Sequence, residues 1–265
     1  MSPSPSKRSR ERPNLADTHE MLGLVLLHVA MFEEADRHLA QALAIDPENI
    51  QGEFHLGWSR FVQGSYRESF EMAQAVNVKN PSPWLTYQAA LSQVRLGDLE
   101  GAEQTAGRVA RESKQGEYIL FHSLRGLIAA LRGDAAAARD HVDRSVRRKK
   151  SFGHYHHAQH DIACIYALLG EKDRALDWLT DAARSGFPCY SFFERDAFLE
   201  PIRGEDRFGR LIAELRAECD GYRRLYRELQ PASDLTPTES KVCSEGFLLT
   251  GAGPPRAASL PSWRN

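Results

Sequence analysis

No run of roughly 18 apolar residues, the length that spans a bilayer, occurs in this 265-residue sequence. Charge of one sign is not in excess either. Lys and Arg total 34 against 36 Asp and Glu, a formal net of −2, which removes any global electrostatic argument for nucleic acid as a partner. The four cysteines, Cys164, Cys189, Cys219 and Cys243, lie far apart and form no CxxC pair. They indicate neither a disulfide framework nor a four-thiolate zinc site, and a reducing, cytoplasmic interior is the expected compartment. Nucleophile elbow, phosphate loop and paired-carboxylate motifs are missing, so neither catalysis nor a cofactor is inferred. The apolar run Leu22–Ala30 imitates a secretory signal, but Asp17, His19 and Glu20 precede it and His28 interrupts it.

What is present is helical periodicity. In the stretch His156–Ala183, HHAQHDIACIYALLGEKDRALDWLTDAA, Ile162, Ala163 and Tyr166 fall on one helical face and Ala175, Leu179 and Ala182 on another, joined by Gly170-Glu171. Small residues at Ala163 and Ala175 let the two antiparallel helices approach closely. A single hairpin cannot bury its own apolar face, and copies recur along the chain. The small second-helix residue is found at Ala35, Ser69, Ala102, Ala138 and Ala175, with steps of 34, 33, 36 and 37. Pro47 and Pro81 close the first two units, also 34 apart.

This period, the Leu-Gly pairs at Leu22-Gly23 and Leu56-Gly57, and the turn glycines resemble the tetratricopeptide repeat. Residues 156–218 are further similar to the last such unit of many bacterial multi-repeat proteins, on Ala163, Tyr166, Ala167, Leu168, Leu169, Gly170, Gly186, Phe187, Pro188, Cys189, Tyr190, Arg203, Arg207 and Phe208. The expected fold is all-α: a superhelical solenoid of about five helical hairpins over residues 15–229. A short helix over Asp196–Arg203 and a capping helix from Glu205 to about Leu229 close it, the latter with Phe208, Leu211, Ile212, Leu215, Tyr222 and Leu225 at helical spacing. Residues 1–14 read as a disordered basic lead-in and 230–265 as a disordered tail.

The resemblance implies a non-enzymatic protein-interaction scaffold whose first helices line a concave groove. Its groove positions map onto Phe54, Trp58 and Phe61 in the second unit and onto Trp84, Tyr87, Leu91 and Arg95 in the third. Leu127, His157 and His160 continue that face. Aromatic anchors of this kind suit an apolar or amphipathic partner segment; the alternative is that these rings pack against neighbouring helices. Lys and Asn of the chaperone-binding carboxylate clamp are absent at the matching pairs, such as Glu20/Leu24 and Phe54/Trp58. Such terminal units also occur on bacterial Ser/Thr kinases and winged-helix regulators, so a regulatory module is the second reading. A third arises from His156, His160 and Cys164, four residues apart on one face, which could ligate zinc in an enzyme; packing is the default there, and no metal is expected. Arg144, Arg147, Arg148, Lys149 and Lys150 read as a solvated helix end.

Overall fold

Helix starts and stops follow the sequence punctuation closely. In the computed structural model, which describes residues 13–112, 118–147 and 154–229, ten helices pair in chain order. They are α1 (Pro13–His28) with α2 (Phe32–Ile45), α3 (Ile50–Val62) with α4 (Tyr66–Lys79), α5 (Pro83–Arg95) with α6 (Leu99–Glu112), α7 (Tyr118–Leu131) with α8 (Ala135–Arg147), and α9 (Tyr155–Leu168) with α10 (Lys172–Arg184). Then come α11 (Tyr190–Arg195), a 3-10 turn at Ala197–Leu199, α12 (Glu200–Arg203) and α13 (Asp206–Leu229). No strand occurs among the described residues, and no helix there is long and apolar enough to cross a membrane. One compact unit extends to Leu225; the chain from Tyr226 is a second, of which residues 226–229 are described as the last turn of α13. The tails read at 1–12 and 230–265 lie outside the described residues, as do 113–117 and 148–153.

Local chemistry explains the boundaries. Asn49 caps α3 by accepting from the Gly52 amide at 2.7 Å, and Ser82 caps α5 ahead of Pro83 in the first turn. The hairpin turns after α3, α5, α7 and α9 each place a glycine at positive φ, as at Gly170 with φ +75°. A Cβ there would meet nothing within 4 Å, so Gly170→Ala carries only the left-handed backbone penalty. We expect it to cost about 1 kcal/mol in urea denaturation; a neutral result would remove this account of the turn. The first hairpin makes the same turn with Ala30 at φ 62°.

The repeat register is visible in the packing. Ala35, Ser69, Ala102, Ala138 and Ala175 are each 0 % exposed. Ser69, the one departure from alanine, accepts a hydrogen bond from Gln88 Nε2 of the next hairpin at 3.0 Å. Gly23 and Gly126 are needed for close approach: a Cβ would come within 2.7 Å of Leu39 and 2.8 Å of Ile165. The capping helix α13 buries Phe208, Leu211, Ile212, Leu215 and Cys219. Tyr222 and Leu225, expected on the same buried face, are 43 % and 53 % exposed, because the helix outruns the surface it covers. Arg144 and Arg147 pair with Asp140 and Asp143 one turn earlier on exposed helix surface; the rest of the basic run is outside the described residues.

Candidate functional site

First-helix residues of the second and third hairpins meet the chain's own α9 and the segment after α10, through Trp58 on His157, Phe61 on Phe192, Tyr87 on Asp161 and Arg95 on Asp196. Every residue of α9 from Tyr155 to Ala167 is buried, as expected of a helix with neighbours on all sides. After α10, Phe187, Phe192, Phe193, Leu199 and Ile202 are buried as well. Arg95 of the third hairpin reaches into this segment and forms a two-pronged ion pair with Asp196, both side chains being almost wholly buried, with Nη2 to Oδ2 at 2.9 Å. Its guanidinium lies 4.0 Å over the Phe198 ring. His160 Nε2 is 3.0 Å from the same carboxylate, and the Phe198 amide donates to it at 2.9 Å. Burial works to raise the Asp196 pKa, but Arg95 and His160 outweigh it and hold the carboxyl well below the usual carboxylate range. At the next residue of α9 after His160, Tyr87 and Ser123 both donate to Asp161 Oδ2 at 2.7 Å.

Eight of the ten residues assigned to an open groove have buried side chains: Trp58, Phe61, Tyr87, Leu91, Arg95, Leu127, His157 and His160. The signal for this lies in the sequence, in the aromatic run Phe187, Phe192, Phe193, Phe198 and in the apolar residues on every side of α9. Read as a helix break and a cap, that run gives no hint that its rings meet those first helices.

Phe54 and Trp84 remain half-buried. With Trp58 and His157 they line a cavity of about 430 Å3 between the first helices of hairpins one to three and the start of α9. Trp58 forms its floor, stacked on Phe61 at 4.9 Å between ring centroids, and its indole Nε1 is buried without a hydrogen-bond partner. Met21, 53 % exposed, and Gln51 stand at the rim. Glu20 and His55 approach to 2.5 Å at one wall, without the alignment of a hydrogen bond.

The candidate zinc trio is split between two groups. His160 and Cys164 meet Asp196, whereas His156 gathers with His28 of α1, His154 and His157. Burial raises the Cys164 thiol well above its ordinary value, which leaves it protonated and a poor ligand. In the second group burial acts the other way on imidazoles. His28 is lowered to about 4 by burial, against the pull of its bond to the Leu24 carbonyl, and His156 to about 3 by burial and by His28 and His154. His157 is driven well below its usual value and His154 is lowered, again chiefly by burial. All four rings are neutral at neutral pH. A second cavity, of about 570 Å3, lies behind the cluster and is lined by His28, His154, His156, Glu214 and Glu218.

Comparison with known proteins gives the fold its place. No family model matches the sequence, and no curated protein matches it. Among solved structures, the chain is similar to a thermophilic tetratricopeptide-repeat protein of Thermus thermophilus. The two share 17 % identity and a TM-score of 0.53, and the match covers 78 % of this chain and 97 % of that one. It is also similar to a chain of the APC/C hetero-tetramer Cut9–Hcn1, at 14 % identity and a TM-score of 0.51, covering 80 % of this chain and 45 % of that one. The fold is a tetratricopeptide-repeat solenoid of five hairpins with a C-terminal capping helix.

Proposed function

We propose that the chain is a non-enzymatic scaffold that holds a partner protein by one apolar side chain inserted in the cavity at Phe54, Trp58 and Trp84. The observation that carries this reading is the indole Nε1 of Trp58, a buried donor without an acceptor at the floor of an aromatic-walled cavity. Cavities of roughly 300–1,000 Å3 with few polar groups are typical binding sites, and this one falls at the small end. An apolar side chain would fill the box while a backbone carbonyl of the same segment accepts from Trp58. The rest of the expected groove is already taken by α9 and the rings after it, so the contact is a socket rather than a trough.

Displayed peptide libraries selected on the full chain give the probe. Peptides with an aromatic or leucine anchor are expected to lose about 30-fold in affinity on Phe54→Ala/Trp84→Ala, the equivalent of a hot spot of about 2 kcal/mol. Met21→Lys, at the exposed rim, leaves folding stability untouched and weakens the same peptides. Selected peptides that bind both variants as tightly as the parent would place the site elsewhere.

A further inference from the structure

Two buried histidines each leave one ring nitrogen without a hydrogen-bond partner. His28, 7 % exposed, donates from Nδ1 to the Leu24 carbonyl at 2.8 Å, which leaves Nε2 as a lone pair with no hydrogen-bond partner. His156, 6 % exposed, has an Nε2 that is likewise buried and unpartnered. Buried polar atoms are nearly always satisfied, so two orphaned lone pairs in one cluster call for a shared partner. His154 and His157 complete the group: each ring offers one nitrogen, and the four nitrogens lie within 4.8 Å of one another.

We propose that His28, His154, His156 and His157 bind one divalent transition-metal ion, zinc by preference, in an all-imidazole site that clasps the first hairpin to the fifth. Neutral imidazole suits zinc, copper and nickel, and a site closed by four protein ligands is structural rather than catalytic. The Leu24 carbonyl fixes the His28 tautomer in the way that outer partners orient metal-bound histidines. With zinc–nitrogen bonds of roughly 2.0–2.1 Å, tetrahedral ligand atoms stand about 3.4 Å apart, so binding draws the rings together. His154, half-buried ahead of α9 and lining both cavities, is the least buried of the four rings and the one an ion meets first. Glu214 and Glu218, on the wall of the second cavity, offset the charge brought in. The positive end of α9 opposes a cation there, but a dipole effect of that kind is small beside direct coordination. The other cluster, His160, Cys164 and Asp196, carries no such inference. Its carboxylate is already held by Arg95, and none of its three side chains has a buried unpartnered atom.

The proposal stands independently of the partner socket, because metal loading needs no partner. Full-length chain freed of metal by chelation is titrated with Zn2+ and with Co2+ at about pH 7.5, above the ordinary histidine value. One equivalent per chain is expected, with the visible bands of tetrahedral cobalt and a rise in thermal midpoint on zinc. His154→Ala, at a half-buried position, folds and loses at least about 10-fold in affinity. His19→Ala, which breaks the separate His19–His38 pair, leaves the titration unchanged. No stoichiometric uptake by the parent, unchanged affinity in His154→Ala, or loss of uptake in His19→Ala would each overturn it.

Discussion

Asp196→Ala is expected to cost about 3–5 kcal/mol of folding stability, as removal of one member of a buried ion pair generally does. The substitution leaves the Arg95 guanidinium, 3 % exposed, without its counter-charge, with Phe61, Phe192 and Phe198 around it. It also removes the acceptor for His160 and for the Phe198 amide. Arg95→Met should cost a comparable amount by stranding the carboxylate instead. The double variant Arg95→Met/Asp196→Ala should cost clearly less than the two singles added together, since it removes both charges from the interior. Guanidinium denaturation of the four proteins measures the coupling. A loss below about 1 kcal/mol for Asp196→Ala, or strict additivity in the double variant, would show the pair to be energetically idle.

Acidification supplies the second large effect. The folded-state values of His28 and His156, about 4 and about 3, are depressed relative to 6.5 for an unperturbed imidazole. As pH falls below 6.5 the unfolded chain takes up protons that the folded cluster refuses, so stability declines from there and keeps declining until the folded values are reached. At pH 4.5, two units below the unfolded value, each such ring costs up to about 2.7 kcal/mol. Since His28, His154, His156 and His157 face one another, the cluster titrates as a unit, and we expect a combined loss of about 3–5 kcal/mol. The remaining charged groups facing the cluster are Glu20 beside His55 on one side, and Arg184, Glu214 and Glu218 on the other. Asp196 works in the same direction only in stronger acid, because its loss sets in as pH falls through the unfolded carboxylate value of about 3.9 and continues toward its lower folded value. Denaturation midpoints at pH 7.5 and 4.5, with chelator present, should separate accordingly, and His156→Gln should flatten the difference. Equal stabilities at the two pH values would sink the argument.

The helices are legible in the sequence because their information is local. Period, turn glycines and the small second-helix residues are set by neighbours within one hairpin, and all five small residues are fully buried. What the sequence does not disclose is the contact made by residues far apart along it. Nothing near Arg95 announces that its partner is Asp196, and nothing near His28 announces His156 and His157; such pairings depend on how far the stack curls before it ends. The helical spacing of His156, His160 and Cys164 does indicate a common face. However, spacing alone cannot tell that the neighbours of that face differ from one turn to the next.

Stacked repeats ordinarily touch only the units beside them, so their ends fray and their stability grows link by link. Here Cys189 Sγ lies 3.8 Å from the Leu27 carbonyl, 162 positions away, and Arg223 donates to the Ala30 carbonyl across 193. Terminal segments thus brace each other, and opening either one exposes the aromatic interior of the middle. Such a chain trades the modular, add-or-delete tolerance of an open array for all-or-none unfolding and a slow search for its native pairings.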